Sequence, residues 1–172
     1  MADRSEEYLN YLETHRNNVA YAYQNDMMDL AMRTNDLELI RAIRQASNLI
    51  PLHDQSKYGK AEFLGYRMKY YPQDGDPSED AVEQFYQKAW EHHVRNNPHH
   101  YLYWVQDGKP TDMEYPYIIE MICDWLAMSI YEDGDVFEWW KEEKKTIEKD
   151  NLMTDTTMKR VESILEQLKE ED

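Results

Sequence analysis

The chain of 172 residues has one cysteine, five glycines, three phenylalanines and no long apolar run. A lone Cys123 excludes an internal disulfide and fits a reducing cytoplasm. No apolar stretch reaches the length needed to cross a bilayer, and MADRSEEYLN is not a signal peptide. These absences predict a cytoplasmic protein with no membrane partner. Basic residues are also scarce: 19 Lys and Arg stand against 35 Asp and Glu, a formal charge of −16. Such a surface repels phosphate backbones, so no nucleic-acid polymer is expected as a partner. A small anion still binds wherever a local cation outweighs the global field.

What is present is apolar and aromatic. Hydrophobic residues make up 41% of the chain, with 14 tyrosines and five tryptophans, too much for a disordered polymer despite 31% charge. With glycine and proline rare and no sustained alternation, the periodicity predicts an all-α, single-domain helical bundle of about six to seven helices. Helices are expected over residues 5–32, 37–47, 51–71, 79–96, 116–132, 135–149 and 154–170, with PQDGDPSED and DGKPTDMEYP as breaks. Residues 1–150 form the expected domain. Residues 151–172 form an amphipathic helix, with Met158, Val161, Leu165 and Leu168 on one stripe, packed on that domain or at the interface of a homo-oligomer.

Polar groups stand where apolar ones belong. His15 lies on the first stripe, with Tyr8, Leu12, Val19 and Ala22. Asp124 lies on the seam Tyr117, Met121, Met128 and Tyr131, and Glu120 one turn earlier can orient a ligand or simply reach solvent. The pair His53–Asp54 follows apolar Leu49, Ile50 and Leu52, and Lys57 comes one turn later, able to hold the aspartate or meet an anion. The stretch AWEHHVRNNPHHYLYW carries His92, His93, His99 and His100. His92 and His93 extend the row of Val82, Phe85, Tyr86 and Ala89, with Asn96 and Asn97 behind them. Six histidines thus occupy only three places, each beside an apolar stripe. Imidazole with carboxylate, and no thiolate cluster, suits a divalent metal: Mn, Fe, Zn, Ni or Mg, as one or two ions. Arg95, four residues after Glu91, reads as a surface ion pair. Trp139 and Trp140 cover the core or an interface.

The order His15, His53–Asp54, histidines at 92–100, Asp124 resembles the HD-domain superfamily of metal-dependent phosphohydrolases, whose signature is H…HD…D on a helical bundle. Here HDQSK keeps Lys57 but has Ser56 where glycine is common. The elements HDxSK, HHxxNNxHH and ExxxDW also look like an uncharacterised bacterial and phage family of unknown function, over most of residues 8–130. The HD resemblance implies a first metal on His15, His53, Asp54 and Asp124, and a second on His93 with His99 or His100. It leaves one of His92 and His99 to protonate a leaving group, and Lys57 to hold phosphate. On this resemblance His100 is the expected metal ligand of its pair, and His92, His99 and Lys57 are the expected catalytic groups. The expected activity is hydrolysis of a small phosphate ester, a nucleotide foremost. The alternatives are an HD-like di-iron oxygenase and a non-catalytic acidic binding protein of phage or bacterial origin.

Overall fold

The structure, a computed structural model, describes residues 3–169. The first two residues of the expected 1–150 domain and the last three of the expected C-terminal segment lie outside the described residues. The fold is all-α, a helical bundle compatible in class with an HD-like architecture. Eight α-helices occur among the described residues: α1 (Ser5–Ala22), α2 (Met28–Arg33), α3 (Leu37–Ala46), α4 (Phe63–Tyr70), α5 (Glu79–Asn96), α6 (Tyr115–Glu132), α7 (Val136–Asp150) and α8 (Asp155–Lys169). A π-helical turn, Tyr23–Met27, joins α1 to α2 without a break, so the two count as one helix and the total as seven.

The helices fall into two compact units. The smaller comprises the N-terminal segment through Thr14 together with Asp54–Pro98; the larger comprises His15–His53 and the described residues from His99 on. In the larger unit, Asp36 caps α3 by accepting from the amides of Glu38 and Leu39 at 2.9 and 3.1 Å. Asp135 does the same for α7. Both carboxylates satisfy amides that a helix N-terminus otherwise leaves open. The core is largely aliphatic, with Leu39, Ile43, Ile118, Ile119, Ile122, Ile147, Val161 and Ile164 fully buried. Helix α6 contributes the largest share of it and packs on α3 and α8. The Met113 amide donates to Thr157 Oγ1 at 3.0 Å, which pins the start of α8.

The smaller unit packs α4 against α5 around Tyr8, Leu12, Tyr66 and Ala89, bordered by Tyr11, Phe63, Tyr71, Tyr86 and Trp90. Gly65 permits the approach: a Cβ there would stand 2.6 Å from both Ala89 Cβ and the Phe85 carbonyl oxygen. Arg67 clamps Asp76 through two bonds of 2.6 Å and ties the 72–78 loop to α4.

Several expectations need correction. The helix over 51–71 is broken into two 3-10 turns, Ile50–Leu52 and Gln55–Tyr58, before α4 begins. The cause is Asp54, whose φ of 55° is left-handed and cannot continue a right-handed helix. The loop at 107–116 begins as a short hairpin, Val105–Gln106 paired with Lys109–Pro110. Its tip, Asp107–Gly108, has positive φ at both residues, as a two-residue type I′ turn requires. On α6 the buried face is not the seam through Tyr117 and Tyr131; Tyr131 is exposed, while Ile118, Ile119, Ile122, Cys123 and Ala127 are buried. On α5, Phe85 is exposed and the helix turns Ala89 and His93 inward.

Candidate metal centre

In the larger unit, five polar groups converge from four places. His15 comes from the buried stripe of α1. His53 follows the 3-10 turn Ile50–Leu52, Glu120 and Asp124 share one face of α6 at i and i+4, and His99 lies just beyond Pro98. His15, His53, His99 and Glu120 are buried; the Asp124 side chain is 17% exposed.

Glu120 Oε1 lies 3.0 Å from His53 Nδ1 and 3.3 Å from His99 Nδ1. Burial pushes the Glu120 carboxyl up, but the hydrogen bonds from His53 and His99 outweigh it and bring the group down to about 2. The carboxylate is therefore ionised and can only accept, so both Nδ1 atoms carry the proton. Each ring then turns Nε2 towards Asp124: His53 Nε2 is 3.7 Å from Oδ1 and His99 Nε2 4.0 Å from Oδ2. His15 Nε2 lies 3.1 Å from Asp124 Oδ1 and 3.3 Å from His53 Nε2. Burial raises the Asp124 carboxyl too, yet hydrogen bonds from His15 and His53 hold it well below the usual range.

These distances fit an ion. Ligands at 2.0–2.1 Å around a tetrahedral centre stand about 3.4 Å apart, and the Nε2 and carboxylate separations bracket that value. Ligand atoms of His53, His99 and Asp124 all lie within 4.8 Å of one another. Three imidazole nitrogens facing one carboxylate, with the far side of two rings fixed by a second carboxylate, is the arrangement that orients histidine for metal. The His100 ring lies tilted beside His99, ring centroids 4.3 Å apart, and His100 is half-buried.

The smaller unit holds a second polar group. Asp54 Oδ2 accepts from Lys57 at 2.6 Å, and Asp54 Oδ1 lies 3.2 Å from His93 Nε2. His93 is fully buried on α5, its ring edge-on to Tyr66. The left-handed turn at Asp54 that breaks the expected helix also brings Lys57 back onto it at i+3. On the other side of His93 is Glu62, a residue with no signal in the sequence: an ordinary glutamate in a charged stretch, yet fully buried at the start of α4. It lies 2.8 Å from His93 Nδ1 and 2.6 Å from His92 Nδ1, and accepts from Ser56 at 3.0 Å. Burial raises Glu62, and bonds from His93 and His92 reverse the shift and leave it below the ordinary value. Burial lowers His93, but Asp54 and Glu62 on its two nitrogens raise it above the ordinary histidine value.

Each residue expected from the sequence thus has a place. His15, His53, His99 and Asp124 come together in the larger unit, with His100 against His99. Asp54, Lys57 and His93 come together in the smaller. His92, expected to border the buried face, has a side chain 44% exposed and reaches inward only through Nδ1. Asn97 bonds Ser56 and the His93 carbonyl, at 2.8 and 2.7 Å. Arg95 pairs with Glu91 on the surface, as expected. Trp140 is buried and Trp139 exposed, both against Trp125.

No described helix is long and apolar enough to cross a membrane. One family model, described as Family of unknown function (DUF5662), matches residues 4–167. No curated protein and no solved structure matches.

Proposed function

The chain belongs to the Family of unknown function (DUF5662), and from its His/Asp groups we propose that it is a metal-dependent hydrolase of small phosphate esters, with a nucleotide as the foremost substrate. The observation that carries the reading is the convergence of His15, His53 and His99 Nε2 on Asp124, behind which Glu120 holds two of the rings. In this proposal His15, His53, His99 and Asp124 hold a divalent ion, and Asp54 with His93 supplies donors for metal in the smaller unit. His99 takes the ligand role that the resemblance left open between it and His100. A bound divalent ion supplies a water of lowered pKa and neutralises charge on the phosphate.

The protein's own groups do the rest. Asp124, the most open of the carboxylates around the histidines, leaves the larger cluster approachable. Lys57, its side chain 17% exposed beside Asp54, is the cation that attracts an anionic substrate against a net charge of −16. In this proposal His92, with Nδ1 on Glu62 and much of its ring in solvent, is the group that protonates a leaving oxygen.

The test is elemental analysis of protein purified without chelator, followed by a phosphatase screen with the identified metal restored. Stoichiometric divalent metal, and phosphate release lost in His53→Ala and Asp54→Ala with helicity unchanged, is the expected result. Metal at trace level overturns the reading. Iron as the resident metal, with oxygen uptake in place of phosphate release, replaces it with oxygenase chemistry on the same donors.

A further inference from the structure

We infer that Glu62 is a positioning residue that fixes His93 so that only its Nε2 atom is available for metal, which rests on the reading of Asp54 and His93 as metal donors. Glu62 is fully buried, and burying a carboxylate is costly unless its lone pairs are taken up. They are: Oε1 faces His92 Nδ1 at 2.6 Å, while Oε2 faces His93 Nδ1 at 2.8 Å and accepts from Ser56 at 3.0 Å. Both oxygens are therefore occupied, which makes Glu62 a poor direct ligand. An ionised carboxylate only accepts, so His93 Nδ1 donates its proton to Glu62; the Asn97 amide nitrogen (3.1 Å) and Ser56 Oγ (3.3 Å) also lie near Nδ1, but each has a nearer acceptor, and Nε2 is the atom that faces Asp54.

Packing fixes the rest of the ring. Tyr66 meets it edge-on at 5.8 Å and Trp90 stacks on it at 6.3 Å. The same device recurs in the other unit, where Glu120 sits behind His53 and His99 and both turn Nε2 to Asp124. The local sequences, KAEFLG and IIEMICD, are unrelated. One buried glutamate behind histidine Nδ1, with an aspartate before Nε2, in two unrelated settings points to a shared task rather than to a chance burial.

The experiment uses full-length protein loaded with zinc and selectively 15N-labelled at histidine. In the wild type, long-range proton–nitrogen spectra are expected to show His93 protonated at Nδ1 and metal-bound at Nε2. In Glu62→Gln, zinc affinity measured by competition is expected to fall about 10–100-fold at the site that Asp54→Ala removes, with the site that Asp124→Asn removes unchanged. Wild-type affinity in Glu62→Gln, or coordination through His93 Nδ1, overturns the inference. Should Glu62→Gln fail to fold, Ser56→Ala removes one bond from Glu62 and is expected to weaken the same site about two- to fivefold; no change overturns the inference. The metal-free wild type separates this idea from the functional one. A proton on His93 Nδ1, with no zinc taken up beside Asp54, keeps the role of Glu62 and ends the metal reading there. Absence of that proton ends the role of Glu62 whatever the metal does.

Discussion

The larger unit closes its core with branched aliphatic side chains, and its histidines stand at the margin of that core, around a carboxylate still partly open to solvent. The smaller unit closes its core with tyrosines, phenylalanine and tryptophan, and its histidine, glutamate and aspartate are sealed inside. Aliphatic groups bury without leaving a polar atom behind. Phenols do not: the hydroxyls of Tyr8 and Tyr66 are buried with no hydrogen-bond partner among the described residues. Burial and the nearby Asp54 carboxylate raise both phenols well beyond their ordinary value, so they remain protonated. The contrast shows two ways of carrying the same imidazole–carboxylate chemistry. One puts it at the edge of a dry core. The other makes it part of the core, where stability and site geometry share the same hydrogen bonds.

The sharpest way to break the comparison is to remove the open carboxylate. Asp124→Asn should weaken metal binding in the larger unit by about 100-fold or more while leaving metal beside Asp54 in place, because the charge that three Nε2 atoms face is lost. Titration of each variant with zinc, beside circular dichroism, checks both halves. Loss of both ions together would abolish the distinction between the units.

Next in size is a core deletion. Ile122→Ala, in the fully buried aliphatic layer, should cost about 2–5 kcal/mol in denaturant unfolding. Glu120 comes after it. Its carboxyl sits near 4.5 in an unfolded chain and at about 2 in the fold, so its contribution is fully present above about pH 4.5 and is lost as pH falls through about 2. That shift corresponds to on the order of 3 kcal/mol. Metal-free Glu120→Gln should therefore unfold more easily than the wild type at pH 6, with the gap narrowing below pH 4; a gap independent of pH would remove the electrostatic account.

Smaller effects probe the aromatic unit and the surface. Tyr66→Phe removes a buried hydroxyl that has no partner among the described residues, so it should leave stability within about 1 kcal/mol of the wild type or raise it. A clear loss would mean that the phenol is bonded after all, and that the aromatic core is as well satisfied as the aliphatic one. Arg95→Ala, breaking an exposed pair at 3.8 Å, should change stability by no more than about 0.5 kcal/mol.

Much of this was legible from spacing. The stripe Tyr8, Leu12, His15, Val19, Ala22 is buried throughout, because a helical period fixes a face whatever it packs against. Glu120 could be named as an orienting group because i and i+4 share a face on any helix. The break at Asp54 was not legible. A left-handed aspartate leaves no mark in a sequence that already contains Pro51 and good helix formers on either side. Nor was the hairpin at Asp107–Gly108 read, although Asp-Gly is its own signal.

Glu62 had no signal of any kind. Its role depends on α5 packing so closely on α4 that Gly65 is needed for the approach, and on His92 and His93 then reaching the same carboxylate. The sequence by itself determined most of the helices, the buried stripe of α1 and the residue types able to bind metal, since these follow from local period and side-chain chemistry. Tertiary structure alone decided which nitrogen of each histidine faces a carboxylate, which histidine of each pair is buried, and which glutamate lies behind it. Those outcomes depend on distances between groups far apart in the chain, and a difference of about one ångström separates a hydrogen bond from none.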